Sequence, residues 1–415
     1  MIGVIADDLT GAAELGAIGW RHGLRAEIVR SGKPGGAADL VCVDTDSRAC
    51  EPNEAAKRAA AAAKLLRAAG AHWIYKKVDS VLRGQITAEI EAVLKQLKLE
   101  RALLLPANPS LGRTIKGGEY FLRGKPLHKT EFANDPHFPR RSSSVLRLVK
   151  VPKIFAMRVA NGDHALTDGM IVIGDAESPA DLQRWTESCD AQMLPAGGAE
   201  FFNALLEKKI GAAGNTHPRI ASGSLSPSDG EREPKRRGLE KFPPLKNIAP
   251  SGGVFFGGKE FFIVGTATLA ARKFVAAARR KKTPVFALPQ ELAWGATFSV
   301  AAIESVTQRV VAAFASQPRV ILNVGLPQVR DADVAGRLSN HVVRIAEKVL
   351  RRARIARVFA EGGATAAELV RRMDWSRLEV VRELAPGVAT LAVEGDENFL
   401  LTIKPGSYTW PSQWT

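Results

Sequence analysis

The segment Ile2–Gly11, IGVIADDLTG, sets two adjacent carboxylates, Asp7 and Asp8, directly behind a short, β-branched apolar run. Thr10 and Gly11 follow, and then a helix-like stretch from Ala12 to Arg21. A buried strand that stops at acids and turns into a helix is how open α/β sheets build ligand sites. Capping the helix needs only one of these residues, since Asp8 or Thr10 can accept its first amide hydrogen bonds. The second acid is left over, and a carboxylate there can take a proton from a hydroxyl. Two further strand-like segments end in polar tips. Asp44–Arg48, DTDSR, offers the Arg48 fork, matched to a carboxylate, although a solvated turn would look the same. Lys76–Gly84, KKVDSVLRG, gathers Lys76, Lys77, Asp79, Ser80 and Arg83 in one short loop. Such a set suits a small, oxygen-rich, acidic ligand, whereas a helix cap would explain Asp79 or Ser80 alone. If the strands near Ile5, Val43 and Lys76 are neighbours, the three tips converge on one rim.

Glycines supply a different chemistry later in the chain. Gly265–Thr268 and Gly362–Thr365 each follow an apolar strand and open a helix. Small residues there let a phosphate approach backbone N–H groups at a helix N-terminus, and tight turns use the same residues. There is neither a GxxxxGK[ST] nor a GxGxxG pattern, so a P-loop and a dinucleotide fingerprint are both excluded. Between the two regions, Pro106–Gly118 and Gly124–Pro136 are polar, with His128, Thr130, Glu131 and Asp135 close together. They read as a surface hairpin of a length that often serves function.

The elements that must position these tips alternate. Ala26–Val29, Asp39–Val43, His72–Lys76, Ala102–Leu105 and Met170–Ile173 read as strands. Asn53–Ala69, Gln85–Leu97, a segment after Ser178 and Ala199–Lys209 read as helices. That alternation predicts a doubly wound α/β domain over residues 1–210. Residues 211–253 are rich in Gly, Pro, Ser, Asn and charge and read as a linker or mobile loop. Residues 254–415 alternate again, with strands at Phe261–Val264, Pro284–Leu288, Val320–Val324, Ile355–Phe359, Leu378–Arg382 and Phe399–Ile403. Helices are expected at Leu269–Arg280, Ala301–Ala315 and Ala332–Arg352. The expected architecture is therefore two α/β domains with mainly parallel sheets and a substrate cleft between them.

The composition is that of an ordinary soluble protein, with no apolar run long enough to span a bilayer. The N-terminus has no basic leader and the Asp pair breaks its apolar run, so it does not read as a secretory signal. Three cysteines without CxxC spacing suit a reducing cytoplasm and give no zinc signature. The net charge of +15 is distributed as basic ends of helices, which the helix macrodipole favours. No basic stripe interleaved with aromatics is present to stack bases, so the charge by itself is no argument for nucleic acid.

ADDLTGAAE, DTDSR, KKVDSVLRG and PLHKTEFANDP, in this order, followed by GGATA, LAPGV and KPG, resemble the four-carbon acid sugar kinase family. The resemblance implies an N-terminal domain that binds a sugar acid such as threonate, erythronate or an oxo-tetronate. It implies a C-terminal domain that binds ATP. Carried onto this chain, it puts substrate contacts at Asp8, Arg48 and the segment Ser80, Val81, Leu82 and Arg83. It puts ATP contacts at Thr266 or Thr268, at Gly362, Gly363, Ala364 and Thr365, and at Gly406. The chain departs from the family pattern at Ala364 and in the Ser407–Trp410 ending.

For phosphoryl transfer the expected roles are Asp8 as base, with Asp7 and Asp79 as alternatives in the same pocket. Arg48 and Arg83 would hold the substrate carboxylate, and Lys77 or Lys404 would stabilise developing charge. Mg²⁺ would accompany ATP without dedicated protein ligands. The partners implied are a sugar acid and ATP, with no nucleic acid and no membrane, and a homodimer is allowed. A non-catalytic sensor of the same ligands is the alternative reading.

Overall fold

A computed structural model of the chain describes residues 1–135, 138–150, 158–160, 171–212, 258–294, 299–326, 331–406 and 408–411. Residues 213–257, most of the stretch read as a linker, lie outside the described residues, as does Ser407.

The first half runs β1 (Ile2–Ala6), α1 (Leu9–Arg21), β2 (Ala26–Val29), β3 (Leu40–Asp44), α2 (Pro52–Ala68), β4 (Trp73–Lys77), α3 (Ile86–Leu97) and β5 (Arg101–Leu105). A small antiparallel sheet follows, of β6 (Arg113–Lys116), β7 (Glu119–Leu122) and β8 (Lys125–Pro126). Then come α4 (Val145–Leu148), β9 (Arg158–Ala160), β10 (Ile171–Gly174), α5 (Pro179–Glu187), β11 (Met193–Gly197) and α6 (Ala199–Ala212). The second half runs β12 (Glu260–Val264), α7 (Leu269–Arg280), β13 (Val285–Ala287), α8 (Gln290–Trp294), α9 (Val300–Ala313), β14 (Arg319–Asn323), α10 (Ala332–Arg352), β15 (Arg357–Glu361) and α11 (Gly363–Arg372). It closes with a meander of β16 (Arg377–Ala385), β17 (Val388–Val393) and β18 (Asp396–Lys404).

The two α/β halves share one 15-stranded sheet, in the order β13-β14-β12-β15-β18-β17-β16-β2-β3-β1-β4-β11-β5-β10-β9. Pairing is parallel within each half outside the meander, and the seam is the antiparallel pair β16–β2, with Leu378 opposite Ile28. β1 has β3 on one side and β4 on the other, with Ile5 opposite both Val43 and Lys76. The chain therefore changes direction across the sheet at β1, which opens a crevice at its carboxyl end. β12 stands in the same position in the second half, between β14 and β15.

The meander makes the parallel strands of the two halves run in opposite senses along the sheet. In a flat sheet their carboxyl ends would point apart. Six strand steps separate β1 from β15, and a twist of about 20–25° per step turns one half by roughly 120–150° relative to the other. The two carboxyl rims thereby come to lie on the same side, where Gly363 approaches Thr10 and Asp8. Helix α1 fills the hollow this leaves, touching β1, β2, β3, β16, β17 and α11. Nine of its thirteen residues are buried, as befits a helix packed on several sides. Its glycines permit the fit: a Cβ on Gly16 would lie 2.9 Å from Val380 of β16, and one on Gly19 would overlap Leu40 of β3. One apolar core runs through both halves as a result.

Candidate active site

Asp7 and Asp8 follow β1, and Asp8 is the N-cap of α1, taking the Gly11 N–H at 2.8 Å and the Thr10 hydroxyl. The capping reading of Asp8 is correct, and the residue has a second bond as well. Arg48, from the loop after β3, donates to Asp7 through Nε (2.7 Å) and Nη2 (2.8 Å) and to Asp8 through Nη1 (2.7 Å). Asp79, after β4, lies 3.7 Å from Arg48 and takes Arg83 through Nε and Nη2, both at 2.9 Å. The convergence expected from the strand ends is thus present, as a web of three acids and two arginines.

Burial pushes the Asp7 carboxyl up, but the charge and hydrogen bonds of Arg48, with Lys76 behind, outweigh it and hold the group below its ordinary range. Asp79 is held well below by Arg83 and Arg48 against the same burial. Both acids are locked, with side chains 3% and 7% exposed, whereas Asp8 is 16% exposed. Of the three, Asp8 is the one that faces the crevice.

Several expectations need correction. Arg48 and Arg83 are not free forks, because Asp7, Asp8, Asp79 and Asp135 occupy them. The Val81 and Leu82 side chains are buried in the core, so any contact they offer a ligand is through backbone. Lys77 is buried, its Nζ 3.3 Å from Glu14 of α1 and donating to the Val78 carbonyl at 3.1 Å. Ser80 accepts from Arg113 of β6, and its carbonyl accepts from the Tyr120 hydroxyl of β7. The β6–β7 hairpin, in the stretch expected to form one, thus borders the site.

Across the crevice, the carboxyl ends of β12, β15 and β18 knit their turns together. Gly265 N–H donates to the Glu361 carbonyl (3.2 Å), and Gly362 N–H to the Lys404 carbonyl (2.9 Å). Thr266 donates to Glu361 Oε1 (2.9 Å), and Thr268, the N-cap of α7, to the Gly406 carbonyl (3.2 Å). Thr365 is buried against Gly265, with its hydroxyl 3.1 Å from that of Ser339. These threonine hydroxyls hold the turns together, which leaves backbone N–H groups as what the turns can present to an anion. Gly362, at φ 103°, adopts a conformation that favours glycine, and no side chain caps α11 behind it. The N-terminal turn of α11, Gly363–Thr365 with Ala364 between, is left without a side-chain cap, and a helix N-terminus of this kind favours an anion. It lies on the Asp pair: a Cβ at Gly363 would be 3.1 Å from Thr10 Oγ1 and 3.5 Å from Asp8 Oδ2.

Sequence reasoning missed what lies beneath these turns. Glu361 is fully buried, accepts from Trp410 Nε1 at 2.7 Å and pairs with Lys404 at 3.4 Å. Burial pushes Glu361 up and Lys404 down, each toward its neutral form, against their mutual attraction. Lys404 also donates to the carbonyls of Pro405 and Tyr408, so it is a structural strut and does not reach the crevice. Tyr408 bonds Glu14 of α1 at 3.3 Å, so the unusual ending of the chain ties the two halves together. Asn323, at the end of β14 beside Val264, keeps a buried Oδ1 without a partner. No sequence signal separates Asn323 from any other strand-end asparagine. A cleft of about 430 Å³ lined by Arg25, Glu27 and Arg377 lies at the amino-terminal end of β2, on the opposite edge from the Asp7 rim.

Two family models match the chain: a sugar-binding N-terminal domain over residues 2–205 and a nucleotide-binding C-terminal domain over residues 261–408. A D-threonate kinase of Salmonella typhimurium is 33% identical over 221 residues, 49% of this chain and 52% of its own. A 3-oxo-tetronate kinase of Pseudomonas savastanoi pv. phaseolicola is 26% identical over 437 residues, 98% of this chain and 94% of its own. A D-erythronate kinase of Heliobacterium modesticaldum is 32% identical over 200 residues, 43% and 46% of the two chains. Among solved structures, one from Salmonella typhimurium superposes with a TM-score of 0.76 at 18% identity, covering 100% and 97% of the two chains. Another, from Haemophilus influenzae, gives 0.67 at 20%, covering 98% and 96%. These two carry the fold alone.

Proposed function

The chain belongs to the four-carbon acid sugar kinase family, and from that premise we propose that it transfers the terminal phosphoryl group of ATP to a hydroxyl of a four-carbon sugar acid. The observation that carries the reading is the meeting of Asp8 with the open N-terminus of α11, since that contact joins an acceptor rim to a phosphate rim.

Asp8 takes the proton of the attacking hydroxyl. Its Oδ1 is fixed by the Gly11 N–H and its Oδ2 by Arg48 and Thr10, so the carboxylate is positioned before substrate arrives. Asp7, Asp79, Arg48 and Arg83 are the frame around it, Ser80 is on the sugar side, and Lys77 lies buried behind, paired with Glu14. On the other rim, Gly363, Ala364 and Thr365 bind phosphate through backbone N–H groups in the favourable field of α11. Thr266, Thr268 and Gly406 shape the adjoining wall, and the orphaned Asn323 Oδ1 offers an acceptor to an amino or hydroxyl group of the nucleotide. Closing the rims over both substrates excludes water and so favours the sugar hydroxyl as nucleophile.

Mg²⁺ fits this donor set in one way. It would be held mainly by phosphate oxygens and water, as Mg²⁺ commonly is beside a nucleotide. Bound there, it would neutralise phosphate charge, and Asp8 is the carboxylate its water shell would meet. Residues 1–210 would form the sugar-acid domain and 254–415 the nucleotide domain. The free thiols of Cys42, Cys50 and Cys189 suit the reducing, ATP-rich cytoplasm that the reading implies. A homodimer is compatible with it. The test is ADP release with threonate, erythronate and an oxo-tetronate, each at fixed ATP. Acid-dependent ADP supports the kinase; binding of acid and ATP without ADP release favours the sensor.

A further inference from the structure

Besides Arg140, whose guanidinium donates to the Leu82 and Phe138 carbonyls, three guanidinium groups border the sugar side of the crevice, and two of them are spent. Arg48 is saturated by Asp7 and Asp8, and Arg83 by Asp79 and Asp135. The third is Arg113, the first residue of β6. Its Nη1 donates to the Ser80 hydroxyl, a neutral acceptor. Its Nε is buried and has no acceptor, and among the described residues no carboxylate pairs with it. Arg113 also hydrogen-bonds the Tyr408 hydroxyl of the second half, another neutral partner, and partly offsets the upward push of burial on that hydroxyl. The guanidinium therefore stands where the Ser80 loop, the β6–β7 hairpin and the chain's ending converge.

A half-buried cation without a counter-ion is costly to keep, because its partial desolvation is not repaid by any charge partner. An orphaned N–H in such a group is met when an anionic oxygen arrives. We propose that Arg113 is the residue that reads the carboxylate of the acid substrate, a role its two committed neighbours cannot take without abandoning Asp7 and Asp79. Ser80 then has the task of orienting that guanidinium as well as touching ligand. The inference rests on the kinase reading above and adds the residue that makes the site select acids over neutral polyols.

The experiment uses the full chain as wild type, Arg113→Ala and Arg113→Lys, each checked by thermal melting. The tetronate that the wild type turns over best is compared with its neutral amide, as substrate or competitive inhibitor. For Arg113→Ala, kcat/KM for the acid should fall about 10²–10³-fold, carried by KM, as expected for loss of a charged ground-state contact. The constant for the amide and the KM for ATP should move less than about threefold, and Arg113→Lys should fall between. A variant that keeps the wild-type ratio of acid to amide overturns the inference, and so does equal loss of both or loss confined to kcat. If Arg113→Ala does not fold, the acid-to-amide ratio of Arg113→Lys decides by the same criteria. A wild type that phosphorylates no acid defeats the kinase reading instead, and the inference with it.

Discussion

Replacing Asp8 by Asn removes one charge and almost no shape. Asn is as good an N-cap as Asp, so the bond from Gly11 N–H at 2.8 Å survives and α1 keeps its start. The variant loses the charged character of the Arg48 Nη1 bond at 2.7 Å. Hydrogen bonds to charged groups contribute about 1.5–3 kcal/mol. Arg48 retains both bonds to Asp7 and the nearby Asp79, so the stability loss should sit at the lower end, about 1–2 kcal/mol. The chemical step should suffer far more. An amide does not accept the hydroxyl proton, and loss of a positioned base typically costs about 10²–10⁴-fold. Steady-state kinetics with the preferred tetronate, together with ATP binding by calorimetry, measure both sides. The expected result is a kcat lowered by at least about 10²-fold, with ATP affinity little changed. A kcat within a few-fold of wild type would refute the assignment of Asp8 as base and reduce it to a helix cap.

Asp44, paired with Arg30 at 3.0 Å, is pushed up to about 6 by burial that outweighs Arg30. The fold therefore favours its protonated form, and that stabilisation, present below the unfolded value near pH 4, is lost as pH rises through about 6. Urea titrations from pH 4 to 6 should show wild type losing about 2 kcal/mol relative to Asp44→Asn; parallel curves would contradict this. Gly363→Ala puts a methyl 3.1 Å from Thr10 Oγ1 and should lower kcat/KM by about 10–10²-fold with little change in melting temperature; unaltered kinetics would mean that the rims do not work together. Trp410→Phe keeps an aromatic ring against Phe262 and Phe359 but removes the donor to Glu361. Chemical denaturation should register a loss of about 1–3 kcal/mol, and no loss would show that the indole N–H is dispensable.

The rim was legible because its residues sit at strand ends. Asp7, Arg48 and Asp79 each follow an apolar run, and parallel pairing of β1 with β3 and β4 brings such ends together. What that logic could not show is who bonds whom. The acids neutralise Arg48 and Arg83 within the site, a property of side-chain geometry that no spacing encodes. Arg113 was hidden in a polar hairpin whose pattern matches any surface loop. Strand β11 was missed because Pro195 and Gly197 give it poor strand propensity, and its place is set by burial between β4 and β5. The joining of both halves into one sheet depends on β16 meeting β2, a pairing between residues hundreds of positions apart. Glu361 reads as an ordinary charged residue and Lys404 as a charge stabiliser, yet burial makes the pair a strut beneath the glycine turns.

The central question is whether the two rims carry out one transfer. The direct measurement is to incubate the wild-type protein with ATP, Mg²⁺ and each of threonate, erythronate and an oxo-tetronate, and to weigh the products by mass spectrometry. One of these acids should gain a single phosphoryl group, with ADP appearing in equal amount. ADP formed without any phosphorylated acid, or no turnover of all three, would contradict it.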